Sequence, residues 1–310
     1  MKYGFGVDVG GTTIKFGFFD LDGDMLNSWD IPTDTSEGGK NILPSIRAEV
    51  IRFVIEKHID KDALIGLGIG VPGPVSEDGV INRCVNLGWG VFNIENELSG
   101  MLDLRVKAGN DANAAALGEM WRGGGEGFSN LVMLTLGTGI GGGIIHQGKI
   151  LTGAHGAAAE FGHMPLIREE KRQCNCGKVN CLETYASGIN FAKTAKIRLI
   201  TYPKKSLLSE VENLETRHVF DCAEKGDELS LSLVDELGDL LGSATAIIAS
   251  VCDPEIFVIG GGVSKAGMRL LNAIEESFKE NVFFPCKDTK FALARLGGDA
   301  GKYGAMKLLI

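Results

Sequence analysis

Short apolar runs broken by glycine open the chain. Phe5–Val9 and Ile14–Phe19 flank Gly10-Gly11-Thr12-Thr13, a pattern that predicts a β-hairpin, and Met25–Ile31 predicts a third strand after the turn Asp22-Gly23. From Ile42 the spacing changes. Ile42, Leu43, Ile46, Val50, Ile51, Val54 and Ile55 form the stripe of an amphipathic helix. Leu64–Val71 reads as a buried strand ending at Pro72-Gly73-Pro74, Leu104–Ala108 as another strand, and Ala112–Trp121 as an alanine-rich helix. Gly123-Gly124-Gly125 then offers a hinge. Beyond it, Leu131–Leu136 and Gly142–His146 flank Gly137-Thr138-Gly139, a weak internal repeat of the first strand–turn–strand. A long helical pattern covers Leu233–Val251, Ile256–Ile259 is a strand that delivers Gly260-Gly261-Gly262, and Ala300–Leu309 reads as a closing helix. Strands alternating with helices and no low-complexity linker predict an α/β protein of two lobes hinged around a cleft. The expected division is residues 1–120, with the closing helix at about 298–310, against residues 121–297.

Glycine is the compositional outlier, at 44 of 310 residues with only 8 prolines, so it serves local backbone needs. The balance of 31 basic against 40 acidic residues gives a net charge of −9, which argues against a nucleic-acid or acidic-membrane footprint while leaving local anion sites open. Asp8 stands where an export signal would need an apolar core, and the longest uncharged stretch, Ser129–Gly148, is too rich in glycine for a membrane span. Seven cysteines fit a reducing compartment, the cytoplasm. Cys84, Cys222, Cys252 and Cys286 are scattered and read as small core hydrophobes.

Three glycine clusters each follow an apolar strand. Such a turn lets backbone N–H groups approach phosphate oxygens with no Cβ in the way, and Thr12 and Thr138 add hydroxyl donors. Singly each reads as a plain turn; together they point to phosphate. None fits the Walker pattern, and the glycines of Gly137-x-Gly139-x-Gly141 sit in a hairpin rather than at a helix start, which disfavours a dinucleotide fold. Asp8, ending the first strand, is either a turn former or an anchor for hydrated Mg²⁺. Asn110-Asp111 begins the alanine-rich helix, so Asp111 is a helix cap, a base accepting a hydroxyl proton, or both. The strongest single signal is Glu160-Phe161-Gly162-His163 followed by Cys174-Asn175-Cys176 and Cys181-Leu182-Glu183. Three thiolates and one imidazole make a closed tetrahedral zinc site, structural because no position is left for water. Glu160 and Glu183 bracket it; with the imidazole they suit hydrogen bonding to a polyol.

These motifs, in this order, resemble the ROK family over nearly the whole chain, and within it the ATP-dependent glucokinases. The matching pieces are Asp8-Val9-Gly10-Gly11-Thr12, Gly70-Val71-Pro72-Gly73-Pro74, Asn86-Leu87-Gly88-Trp89, Gly109-Asn110-Asp111-Ala112-Asn113-Ala114-Ala115, Gly137-Thr138-Gly139-Ile140-Gly141-Gly142-Gly143, Glu160-x-Gly162-His163 and the cysteine block. The resemblance implies an actin-like ATPase (ribonuclease H-like) fold whose two α/β lobes close over ATP and sugar. It implies transfer of phosphate from MgATP to O6 of glucose, with Asp111 as general base and Asn86, Asn110, Glu160, His163 and Glu183 on the sugar. Gly10, Gly11, Thr12, Thr13, Gly137, Thr138 and Gly139 would hold phosphates, and Gly260, Gly261 and Gly262 would lie near the adenosine. Zinc would sit on His163, Cys174, Cys176 and Cys181, with the second nitrogen of His163 towards sugar. Relatives imply a homodimer. Another hexose (N-acetylmannosamine, N-acetylglucosamine, mannose or fructose) is the alternative substrate. A sugar-binding regulator would need a DNA-binding module ahead of the first hairpin, for which Phe5 leaves no room. The chain departs from relatives in three places. Thr13 stands where many carry Lys, with Lys15 nearby, Ala159 replaces a Gly, and Asn180 replaces the usual Gly before the third cysteine.

Overall fold

Strands and helices alternate as the pattern predicts in a computed structural model that describes residues 1–310. The strands are β1 (Tyr3–Val9), β2 (Thr13–Asp20), β3 (Met25–Pro32), β4 (Leu64–Val71), β5 (Val80–Ile81), β6 (Phe92–Asn93), β7 (Val106–Asn110), β8 (Leu131–Leu136), β9 (Ile140–His146), β10 (Lys149–Ile150), β11 (Ile256–Gly260) and β12 (Lys290–Leu293). The helices are α1 (Ser36–Gly39), α2 (Ile42–Glu56), α3 (Ile94–Leu102), α4 (Asp111–Arg122), α5 (Glu183–Ala186), α6 (Gly188–Thr201), α7 (Thr216–Glu224), α8 (Glu228–Cys252), α9 (Met268–Asn281) and α10 (Ala300–Lys307).

One sheet has the order β3-β2-β1-β4-β7, the other β10-β9-β8-β11-β12. In the first, β1 is antiparallel to β2 and parallel to β4, which is parallel to β7. In the second, β8, β11 and β12 are parallel. The weak sequence repeat is therefore a repeat of topology. It reaches single positions: Asp8 pairs with Gly70 across β1 and β4, and Thr135 pairs with Gly260 across β8 and β11. Parallel central strands are covered on both faces, and β4 accordingly buries six consecutive residues. Phe5, Phe16, Ile46, Leu67 and Ile69 lie at the centre of the first core and are fully buried.

The chain forms two compact units, Met1–Gly127 with Gly143–Ala158 and Arg295–Ile310, and Phe128–Gly142 with Ala159–Ala294. Residues 143–158, which the sequence reading gave to the second lobe, belong to the first unit. Gly143 explains why: a Cβ there would lie 2.5 Å from Ala116 Cβ and 3.2 Å from Ala112 O, so β9 runs directly against α4. The glycines 123–125 are no free hinge either, for the buried Glu119 carboxylate accepts from Gly124 N at 2.7 Å. The strand expected at Leu104–Ala108 starts two residues later, because Leu104 is still tied to α3, its carbonyl accepting from Ser99 Oγ. Cys84, Cys222 and Cys286 are buried as expected, whereas Cys252 is half-buried.

Candidate active site

In the first unit the carboxyl ends of the parallel strands β1, β4 and β7 lie side by side, the edge at which open α/β sheets bind ligands. Asp8 pairs with Gly70, and Gly70 with Gly109, so the row consists of one carboxylate and two residues without side chains. A Cβ on Gly70 would lie 3.9 Å from Asp8 Oδ1 and 3.7 Å from Asp111 Cα, so glycine there leaves space beside both acids. Asn110, not Asp111, is the N-cap of α4: its Oδ1 accepts from Asn113 N at 3.1 Å, and its Nδ2 donates to Gly73 O at 3.2 Å and Asp111 Oδ1 at 3.0 Å. Asp111 Oδ1 also accepts from Ala112 N at 2.8 Å. One oxygen is thus fixed by the helix start, and Oδ2 is left for another donor.

Burial pushes the Asp111 carboxyl up to about 6, the Ala112 N–H opposes this, and the nearby Asp8 adds to it. Asp8 is itself raised by burial, against the pull of Lys15 and Lys302. Lys15 Nζ donates to Gly298 O at 3.0 Å. Lys302 was not legible as a site residue. It is 3% exposed, donates to Ser28 Oγ at 2.6 Å and pairs with Asp299 Oδ1 at 2.7 Å. In the adjoining hairpin turn, Gly10 N donates to Thr13 O at 2.9 Å, while Gly11 and Thr12 are exposed. Asn86 is exposed in the 3₁₀ turn Val85–Leu87.

In the second unit, Gly137 and Thr138 line a cavity of about 780 Å³ with Gly262 and Val263. Gly188, Lys193, Lys196, Thr216 and Arg217 complete much of its wall. These five were missed, since nothing in their spacing marks a site. Of the third glycine cluster only Gly262 lines the cavity. Gly260 ends β11 in the core, and Gly261, at φ +84°, lets the chain pass Leu136 where a Cβ would lie 2.5 Å from its carbonyl oxygen. Gly137 O accepts from Gly188 N at 2.8 Å, so the glycine turn rests on the start of α6.

His163 Nδ1, Cys174 Sγ, Cys176 Sγ and Cys181 Sγ lie within 4.8 Å of one another. Cys176 and Cys181 sulfurs are 3.6 Å apart and Cys174 Sγ is 3.7 Å from His163 Nδ1. Tetrahedral zinc with bonds of about 2.3 Å to sulfur needs edges of about 3.8 Å, so the set fits that ion. The bridge Pro165↔Cys181 holds the His163 turn against the third cysteine. Nδ1 is the ring nitrogen beside Cys174 Sγ and lies 3.7 Å from Glu183 Oε1, which leaves Nε2 for another partner. Glu183 follows directly. Its Oε1 is 3.0 Å from Cys174 Sγ, and a Cβ on Gly139 would lie 2.8 Å from its Oε2. Glu183 therefore spans from the cysteine loop to the glycine turn of the same unit. Glu160 is exposed at the start of the His163 turn.

Two sheets of this order with helices between their strands define the actin-like ATPase fold. The ROK family model matches residues 4–310, and the chain belongs to the ROK family. It is similar to the glucokinase of Halalkalibacterium halodurans, at 42% identity over 96% of this chain and 92% of that one. A solved ROK family glucokinase from Streptomyces griseus, in complex with glucose and AMPPNP, is 33% identical with a TM-score of 0.75, covering 99% of this chain and 98% of that one. The ROK hexokinase from Thermus thermophilus is 30% identical with a TM-score of 0.80, covering 99% and 97%.

Proposed function

We propose that the protein transfers the γ-phosphoryl group of ATP to O6 of glucose, with Asp111 as the general base. The observation that carries this is the Asp111 carboxyl: half-buried beside strand ends, held by one oxygen, free at the other, and pushed up to about 6, near the pH at which a base must work. Glucose as the substrate is supported by 42% identity to a protein named glucokinase.

In this reading Asp111 Oδ2 takes the proton of the sugar hydroxyl as it attacks the phosphorus and the bond to ADP breaks. Asn86, Asn110, Glu160, His163 Nε2 and Glu183 are the sugar's hydrogen-bonding partners. Phosphate oxygens meet the N–H groups and hydroxyls of Gly10, Gly11, Thr12 and Thr13, those of Gly137, Thr138 and Gly139, and the Lys15 ammonium. The 780 Å³ cavity takes the adenosine, with Gly262 in its wall. Asp8 would hold hydrated Mg²⁺, which when bound offsets charge on the phosphates. His163, Cys174, Cys176 and Cys181 would hold a structural zinc that fixes Glu183. Seven cysteines without a disulfide suit the cytoplasm.

The test is ADP release by the zinc-replete protein with MgATP and glucose, mannose, fructose, N-acetylglucosamine or N-acetylmannosamine. The expected outcome is kcat/KM for glucose about 100-fold above the others, roughly 2.7 kcal/mol of discrimination. Preference for an acetylated sugar would overturn glucose and leave the mechanism standing.

A further inference from the structure

The cysteine loop is tied together by side chains outside the set of His163 and the three cysteines. Asn180, directly before Cys181, is 7% exposed and sits at φ +59°, a left-handed conformation that asparagine tolerates. Its backbone N–H donates to Arg172 O at 2.9 Å and its carbonyl accepts from Leu166 N at 2.8 Å. Its side chain bonds on both ends: Oδ1 accepts from Arg172 N at 2.9 Å and lies 2.9 Å from Tyr185 Oη, and Nδ2 donates to Arg168 O at 3.2 Å. Tyr185 Oη also lies 2.6 Å from Glu170 O, so its one proton is shared between two acceptors. The Tyr185 ring lies 4.3 Å from the Arg172 guanidinium, which donates to Thr184 O, Thr194 Oγ1 and the Glu170 carboxylate. Asn180, next to Cys181, thus joins the arm that runs from His163 to Cys174 to the short helix carrying Glu183. A glycine at 180 could keep the backbone but would lose all three side-chain bonds.

We infer that Asn180 and Tyr185, braced by Arg172, are positioning residues that hold His163, Cys174 and Cys181 in the geometry zinc requires. The inference rests on the metal reading given above. Outer partners that orient metal ligands typically change affinity 10–100-fold when removed.

The experiment measures zinc affinity by competition with a chromophoric chelator for the full-length wild type, N180G, Y185F and N180G/Y185F, with circular dichroism confirming the fold. The expected result is about tenfold weaker zinc binding in N180G, about threefold in Y185F, and a loss in the double variant smaller than the product of the two single losses, because the two residues share one bond. Wild-type affinity in both single variants, or losses that simply multiply in the double variant, would overturn the clamp. If N180G fails to fold, Y185F alone decides, since it removes a single oxygen. A wild type that binds no zinc overturns the metal reading and the clamp together. Phosphotransfer does not enter this readout, so the kinase reading stands or falls separately.

Discussion

At Asp111, burial and the neighbouring Asp8 disfavour the ionised form that a base requires. Below pH 3.8 the carboxyl is protonated folded or unfolded, and no cost arises. As pH rises towards about 6 the unfolded chain ionises first, and the fold loses stability by on the order of 2–3 kcal/mol, fully so above that pH. Two effects of Asp111→Asn follow. Turnover falls by roughly 10²–10⁴, measured by ADP release at saturating substrates, while urea unfolding at pH 8 shows a more stable protein. In the wild type, kcat/KM should climb with pH through about 6 and then level. Full turnover in the variant would reduce Asp111 to a structural residue. The sequence could not separate cap from base here. Both read as an acid before alanines, and only the hydrogen bonds assign the cap to Asn110.

Packing between elements explains much of the glycine surplus that composition shows and periodicity does not. Helix α10 lies so close to its neighbours that a Cβ on Gly68 of β4 would fall 1.7 Å from Ala305 O, and one on Gly304 would fall 1.5 Å from Ala114 O of α4. Gly6 of β1 faces Lys302 O at 2.0 Å in the same way. These contacts are with backbone, which cannot move aside as a side chain can. Gly304→Ala should therefore lower unfolding free energy by about 3 kcal/mol or more, read by urea titration; an effect under about 1 kcal/mol would mean that α10 shifts freely. Strands β1 to β4, β7 to β9 and β11 and the helices α2, α4, α8 and α10 were legible because their apolar spacing is regular, whereas the two-residue strands β5, β6 and β10 and the edge strand β12 were not read. Helices α1, α3, α5, α6, α7 and α9 were not read. The glycines of α10 and its neighbours looked like turn formers because a close approach between distant segments leaves no local pattern.

Across the whole molecule the chain passes from one unit to the other four times, near residues 127, 142, 158 and 294, and within the first unit one side chain ties together the segments beside the first and last of these passages. Glu119 is fully buried, and its carboxylate accepts from Gly124 N at 2.7 Å, Arg295 N at 3.0 Å and Leu296 N at 2.8 Å. Glu119→Ala would strand three backbone donors, with an expected loss of about 3 kcal/mol or more in unfolding free energy and faster hydrogen exchange at residues 124, 295 and 296. Unchanged exchange there would show that water replaces the carboxylate without cost. The repeated sheet order has a historical consequence. Two copies of one plan in a single chain are what duplication and fusion of an ancestral half would leave. The copies differ at this strand end: the first has the acid Asp8 opposite its glycine, and the second has Thr135 opposite Gly260. The two halves therefore share an architecture without sharing a charge at this strand end, and a symmetric plan yields an asymmetric molecule.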